Sequence, residues 1–149
     1  MGASATRIEF HFHVADGHAH ACRLLRKAVG QGVRCAVLAG AATLEALDQK
    51  LWTFSGTDFI AHSRVGDDPV ATATASVLLT SSLDELKQPV EELIHLGEQV
   101  PEGFERFARL IEIVTTDDLS RAQARLRWKH YSAMGYELVR HDLSSGATA

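Results

Sequence analysis

The sequence predicts an α/β fold, a three-layer Rossmann-like domain with a mostly parallel sheet and helices on both faces. Two strand patterns lead to this prediction: residues 8–14 alternate apolar and polar side chains, and residues 33–39 form a nearly continuous apolar run between glycines. Apolar residues at helical spacing follow each of these strands. Strands that alternate with helices favour a parallel sheet joined by crossover helices.

The predicted elements follow one another along the whole chain. Strands are expected at residues 8–14, with one buried face, and at 33–39, 92–96, 109–114 and 136–141, with short extended candidates at 59–62 and 76–79. Helices are expected after Gly17 to about 30, from 43 to 51, in a turn that opens at Pro101, and after Asp117 to Gly135. Residues 52–88 are rich in Ser, Thr, Gly and Asp and are expected to form mainly loops.

Length and composition indicate one globular unit. The chain has 149 residues, of which 46% are hydrophobic and 23% charged, a balance typical of globular proteins rather than disordered ones. We expect a single domain over residues 1–143 and a disordered tail over residues 144–149, because the tail is small and polar.

Charge and cysteine usage exclude several classes of protein. The net charge of −4 gives no overall basic field, so contact with DNA is expected to be mainly indirect. Cys22 and Cys35 have neither the spacing of a zinc motif nor the density of a disulfide scaffold. The N-terminus lacks an export signal, and no apolar run could span a bilayer. A cytoplasmic protein without membrane contact is therefore expected.

Four histidines near the N-terminus, His11, His13, His18 and His20, are the main indication of an enzyme. An HxH pair at the end of a strand is one way to hold a divalent metal ion. The other ligands that such a site needs form no second motif, so surface histidines are the simpler interpretation and no metal is predicted. A small metal-dependent enzyme remains the alternative.

Motifs for nucleotide binding and covalent catalysis are absent from the sequence. The turn at residues 39–42 is small, but no GxGxxG, GxxxxGK[ST] or GxSxG occurs, and neither cysteine is matched to a base. A nucleotide-dependent enzyme is thus only an alternative, and we predict no cofactor and no catalytic residue.

The last helix carries a basic face that includes one indole. At 100° per residue, Arg121, Arg125, Trp128 and Lys129 fall within an arc of roughly 100°, and Val114 could floor an apolar recess beside them. The adjoining arc predicts a core stripe of Leu119, Ala122, Leu126 and Ala133. A solvated helix face is one interpretation. Trp128 among cations favours another, namely a site for an anionic group attached to an apolar or aromatic one. A peptide that ends in a carboxylate, or single-stranded nucleic acid, would fit such a site.

Two aromatic residues mark a second candidate surface. Trp52 and Phe59 lie in or beside the Ser-, Thr- and Gly-rich middle of the chain. They could belong to the core at one end of the sheet, or they could form an exposed hot spot that binds another protein.

Ordered segments along nearly the whole chain resemble the chi subunit family of bacterial DNA polymerase III. The matching segments are residues 22–28, 46–52, 59–62, 100–101 with Phe104 and Phe107, 112–114, and 124–136. No one segment is diagnostic, but their combination in this order is fairly specific.

The resemblance implies a non-catalytic accessory subunit in DNA replication. Chi pairs with psi, which docks on the clamp loader, and chi also binds the acidic, Phe-terminated C-terminal tail of single-stranded DNA-binding protein. By resemblance, Arg125 would bind the terminal carboxylate of that tail, Arg121 and Lys129 would attract its aspartates, and Val114 and Trp128 would accept its apolar end. Trp128 stands where relatives often carry Tyr.

The resemblance also assigns the second surface. Trp52 and Phe59 match positions that dock psi, or a repair helicase that competes for the same surface. The expected partners are therefore psi, the tail of single-stranded DNA-binding protein, the clamp loader through psi, and a helicase.

Overall fold

The computed structural model describes residues 5–53, 60–66 and 68–144. The strands are β1 (Arg7–Val14), β2 (Cys35–Leu38), β3 (His62–Arg64), β4 (Val77–Thr80), β5 (Glu92–His95), β6 (Arg109–Thr115) and β7 (Leu138–Asp142). The helices are α1 (Gly17–Gly30), α2 (Ala41–Thr53), α3 (Pro69–Thr74) and α4 (Asp118–Ala133), and single 3-10 turns occur at Leu83–Glu85 and Phe104–Arg106. Of the predicted disordered tail, all but Ser144 lies outside the described residues.

Within the described residues, seven strands form one sheet in the order β3-β4-β2-β5-β6-β1-β7, and every neighbouring pair is parallel. This confirms the predicted α/β class and makes the sheet wholly parallel rather than mostly so. Parallel neighbours need long crossover connections, which α1 to α4 and the segments with the 3-10 turns supply. The strands β3 and β7 form the two edges of the sheet, which is roughly 30 Å wide at the usual strand spacing.

Two apolar clusters hold the three layers together, one on each face of the sheet. On the first face, α1 and α2 bury Leu25 and Leu47 against the central strands. On the second face, α4 and the 3-10 turns bury Tyr131 and Phe104, whose rings lie 5.1 Å apart, and the Phe10 ring packs against Tyr131. Burying one such side chain fully contributes about 1.5–3 kcal/mol.

The first strand has two buried faces, not the one that the sequence predicted. Glu9 is 1% exposed and His11 is 4% exposed, so the polar positions are nearly as buried as Phe10. The reason is that β1 lies inside the sheet between β6 and β7, and α1 covers its polar face. Alternation in a sequence separates the two faces of a strand but does not say how many are covered.

The carboxyl end of β1 contains a bulge. The pairing of β1 with β6 shifts between His11 and Val14, and His13 has a φ of 59°. Such a bulge re-aims the side chains that follow it. His13 therefore lies on the α4 side of the sheet next to Phe12, whereas Val14 joins the cluster under α1.

The buried face of α4 was predicted wrongly. The helix buries Ala124, Arg127 and Tyr131. The predicted core stripe of Leu119, Ala122, Leu126 and Ala133 is exposed, with Leu119 at 65% and Leu126 at 68%. An apolar pattern could not reveal this face, because two of its three residues are polar and find their partners only in the folded core.

A buried carboxylate on β6, that of Glu112, fixes this face of α4. Its Oε1 lies 2.6 Å from His95 Nδ1 and 3.1 Å from Arg127 Nε, and its Oε2 accepts a 2.6 Å hydrogen bond from the Tyr131 hydroxyl. Arg127 also donates to the Glu98 carbonyl at 2.8 Å. Burial raises the pKa of Glu112, but His95, Arg127 and Tyr131 together lower it by more, so the net pKa lies below its ordinary range.

The middle of the chain is more regular than the sequence predicted. Strands β3 and β4 confirm the extended candidates, shifted by one to three residues, but α3 was not predicted. This helix has six residues and begins after Asp68, whose carboxylate accepts from the Val70 N–H at 3.4 Å. A helix this short completes too few turns to produce a detectable periodicity.

Replacing Tyr131 by Phe tests the role of the Glu112 contacts. The change removes one hydroxyl and leaves Oε2 of a fully buried carboxylate without that donor, so we expect a loss of about 1–3 kcal/mol in the free energy of unfolding. Urea denaturation measures the loss. Tyr136→Phe, in the same apolar cluster, is the matched control and should change the free energy by less than about 0.5 kcal/mol. Equal effects of the two substitutions would contradict the proposed role of the hydroxyl.

Candidate functional site

The basic face of α4 opens onto a cavity of about 310 Å³. Arg121, Arg125, Trp128 and Lys129 all line it, as their helical spacing predicted. The helix begins at Asp118, and the carboxylate of Asp117 caps it by accepting from the Ser120 N–H at 3.0 Å. Because Arg127 and Tyr131 hold the adjoining face of the helix in the core, these four side chains lie along one side of the helix beside the sheet.

The strands beside α4 complete this cavity with residues that the sequence did not indicate, namely Phe12, His13 and Arg140. The Trp128 indole packs on Phe10 and Phe12, with ring centroids 5.1 and 6.0 Å apart. Arg140 lies over the Phe12 ring, with its guanidinium carbon 4.7 Å from the centroid. The cavity thus has an aromatic wall with a cation held against it.

Positive charge dominates this cavity, since none of the described residues that line it is acidic. Arg121 has a distant partner in Asp118, at 3.6 Å. Arg125 and Lys129 form no ion pair with any of the described residues. Such a surface can bind an anionic group by charge-assisted hydrogen bonds and hold an apolar group beside it.

His13 joins this cavity to the last strand. Its Nδ1 lies 2.8 Å from Asp142 Oδ1. Hydrogen bonds from Ser144 and then from His13 hold the pKa of the Asp142 carboxyl well below its ordinary range. The pair fixes the position of the bulged residue at the rim of the cavity.

Val114 does not line the cavity. It is fully buried in the apolar cluster beneath α4, whereas Phe12 supplies the apolar wall. The sequence could not indicate Phe12 and Arg140, because their proximity to α4 depends on β1 and β7 being neighbours in the sheet.

Trp52 lies far from this cavity, on the last turn of α2. It is 61% exposed, and its ring packs edge-on against His62 of the edge strand β3, with centroids 4.8 Å apart. The basic cavity lies beside β1 and β7, near the opposite edge of the sheet. Phe59, predicted to accompany Trp52, lies outside the described residues.

The four N-terminal histidines do not form one site. The interpretation of His11 as a surface residue was wrong: it is 4% exposed, and its Nδ1 lies 2.8 Å from Nε2 of His20, which is 3% exposed. His13 lines the basic cavity, and His18 lines a different one. The bulge in β1 is the physical reason for the separation of His11 from His13.

The crevice at the carboxyl ends of β2, β4 and β5 is where an open parallel sheet would bind a nucleotide. A cavity of about 370 Å³ lies there, and the part of the chain that the structure describes lines it with Asp84, Glu102 and His95 but with no Lys or Arg. Carboxylates without a neighbouring cation repel phosphate, so this cavity does not favour the nucleotide alternative.

Neither cysteine is suited to nucleophilic chemistry. Both side chains are buried, and burial is the main cause that raises the pKa of Cys22 to about 11 and that of Cys35 to about 12. The reactive thiolate is therefore scarce at neutral pH.

Comparison with known proteins assigns the chain to a family. The profile described as "DNA polymerase III chi subunit, HolC" matches residues 5–139. This chain belongs to the DNA polymerase III chi subunit family. The family supports an accessory role in DNA replication.

Two chi subunits illustrate the similarity. The subunit of Pseudomonas aeruginosa is 34% identical over 147 residues, covering 93% of this chain and 97% of the relative. That of Haemophilus influenzae is 29% identical over 93 residues, which are 62% of each chain. Together with the profile, these relatives confirm the resemblance on which the sequence interpretation rested.

A solved structure outside the chi family shares the fold. The C-terminal domain of the DEAD-box protein Dbp5 superposes with a TM-score of 0.62 at 14% identity, covering 93% of this chain and 91% of that one. At this identity the likeness concerns the fold alone. Within the described ranges, no helix has the length and apolar character needed to cross a membrane.

The buried His20 predicts a dependence of stability on pH. Burial, followed by the charges of His11 and Arg23, lowers its pKa from 6.5 to about 4. Between these values the unfolded chain binds a proton that the folded chain does not, so stability present above pH 6.5 is lost as the pH falls. At about pH 5 the loss should be about 2 kcal/mol.

Urea denaturation at about pH 7 and about pH 5 measures this loss. His20→Gln removes the titrating ring and should reduce the difference between the two pH values, and His130→Gln on exposed α4 surface is the matched control. The same difference in the wild type and in His20→Gln would contradict the assignment.

Proposed function

We propose that this chain is a non-catalytic subunit that links the clamp loader, through psi, to the C-terminal tail of single-stranded DNA-binding protein. The observation that carries the proposal is the cavity in which Arg125 and Trp128 lie side by side. Family membership supplies the context of replication. The tail, acidic and ending in Phe, matches a cavity that is cationic and aromatic.

Arg125 is the residue that we assign to the terminal carboxylate of the tail. A guanidinium can hold a carboxylate through two parallel hydrogen bonds, and Arg125 forms no ion pair with the described residues that would compete. Arg121 and Lys129 would attract the aspartates that precede the end of the tail. Arg140, from β7, is a fourth cation in the same cavity.

The apolar end of the tail has a surface to pack on. Trp128 is half-buried and rests on Phe10 and Phe12, so its indole is held rigidly and loses little freedom on binding. Trp128 stands where relatives often carry Tyr, and Val114 is too deeply buried for direct contact in this structure. Phe12 therefore replaces Val114 in our assignment of the apolar contacts.

Substituting Arg125 by Ala is the direct test. A fluorescent acidic peptide ending in Pro-Phe is titrated against the wild type and Arg125→Ala, and fluorescence anisotropy gives each Kd. Loss of a hydrogen-bonded charge pair should weaken binding about 10- to 100-fold. Added salt should weaken binding to the wild type as well.

Arg23→Ala is the matched control for this experiment. It removes the same charge from an exposed position on α1, away from the cavity, so any effect of net charge alone would appear there too. Equal affinity of the wild type and Arg125→Ala would exclude the proposed site. Equal weakening in Arg23→Ala would reduce the effect to general electrostatics.

The surface around Trp52 is our proposed docking site for psi, or for a repair helicase that competes with psi. An indole that is 61% exposed on a helix end is typical of a binding hot spot. This surface and the basic cavity lie toward opposite edge strands, so both partners could bind one chain together. Weak binding of single tails would be strengthened when many tails coat one DNA strand and the chain is tethered to the clamp loader.

Trp52→Ala should separate the two proposed surfaces. We expect affinity for the psi subunit of the same organism to fall at least about tenfold, because hot-spot indoles contribute about 2 kcal/mol or more, while the Kd for the tail peptide stays unchanged. Surface plasmon resonance measures the first affinity. Leu119→Ala, another exposed apolar side chain at 65%, is the control. Unchanged psi binding, or an equal loss in both variants, would contradict the assignment.

A further inference from the structure

A second cluster, formed by Glu9, His11 and His141, lies on the α1 side of the sheet at the β7 edge. Glu9 and His11 are two positions apart on β1 and so point to the same face. His141 is the direct partner of His11 in the parallel pairing of β1 with β7. All three line one cavity of about 500 Å³, and none of them lines the basic cavity of α4.

The distances within this cluster fit a metal ion. His141 Nε2 lies 3.3 Å from Glu9 Oε1, His11 Nε2 lies 3.8 Å from the same oxygen, and all three ligand atoms are within 4.8 Å of one another. Ligands about 2.1 Å from one tetrahedral ion lie roughly 3.4 Å apart. His141 is 45% exposed on an edge strand and can rotate to close the longest separation.

His11 supplies the second, independent observation. Its Nε2 is buried, faces the cluster, and has no hydrogen-bond partner among the described residues. When His11 Nδ1 donates its proton to His20 Nε2, 2.8 Å away, Nε2 carries a lone pair toward the Glu9 carboxylate. Two acceptors that face each other at 3.8 Å are stabilised by a cation between them. The contact with His20 also orients the ring, as supporting hydrogen bonds do around bound metals.

Glu9 is available as an anionic ligand. The guanidinium groups of Arg109 and Arg7 beside its oxygens favour the ionised form of the carboxyl. Arg109 donates to both of its oxygens, at 2.8 and 2.9 Å, and Arg7 lies 2.8 Å from Oε2. These cations hold the carboxylate in place and also reduce its affinity for a metal. Oε1 keeps a second lone pair on the side of the histidines.

We propose that Glu9, His11 and His141 form a binding site for a divalent transition-metal ion such as Zn²⁺. Two imidazoles and one carboxylate are ligands that such ions accept, whereas Mg²⁺ and Ca²⁺ prefer sites made of oxygen alone. The ion would tie the edge strand β7 to β1. This site is independent of tail binding and does not depend on the proposed function.

The test uses Zn²⁺ and Co²⁺ added to the full chain after removal of any affinity tag. Competition with a chromophoric chelator gives the Kd for Zn²⁺, and the visible absorption of tetrahedral Co²⁺ reports the ligands. We expect one ion per chain, a rise in Tm on binding, and no response to Mg²⁺. His141→Ala should weaken Zn²⁺ binding about tenfold or more and abolish the tetrahedral Co²⁺ spectrum.

His130→Ala is the matched control, because it removes an exposed histidine outside the cluster. It should leave the affinity and the spectrum unchanged. Circular dichroism of His141→Ala should match that of the wild type, since the edge position is half-exposed. The proposal is overturned if the wild type binds no stoichiometric Zn²⁺, if His141→Ala binds it equally well, or if His130→Ala loses as much affinity.

Discussion

The Glu112 carboxylate is the constraint on which the rest of the structure depends. It is fully buried on β6, and it contacts His95 of β5 and Arg127 and Tyr131 of α4. An unpaired charge at that position would be unstable, so the partners must remain together. The carboxylate therefore fixes both the rotation and the depth of α4 on the sheet.

The rotation of α4 determines what the surface of the protein can bind. With Arg127 and Tyr131 directed inward, Arg121, Arg125, Trp128 and Lys129 are directed toward β1 and β7. The two faces of the helix therefore have different functions. Polar contacts of one face hold the helix in the core, and the basic side chains of the other face are available to bind a ligand. A helix docked by leucines alone could turn more easily, because apolar contacts have no direction.

The position of β1 inside the sheet has comparable consequences. Because both of its faces are covered, Phe10 and Phe12 support Trp128 on one side, while Glu9 and His11 form a polar cluster under α1 on the other. Because of the bulge, His13 lies on the same side of the sheet as Phe12 and not on the side of Glu9 and His11. One strand thus contributes to two separate cavities.

The sequence by itself determined the α/β class, five strands close to their observed bounds, and the basic face of α4, because those features depend on local periodicity. The sequence did not reveal the buried residues of α4, the covered polar face of β1 or the helix α3. Polar residues such as Glu112 and Arg127 look like surface residues until their partners are known. Only the tertiary structure decided that β7 lies beside β1, which brings Arg140 to the basic cavity and His141 to His11. The pairing of β1 with β6 and β7 arises from contacts between residues more than a hundred positions apart, and no local pattern encodes them.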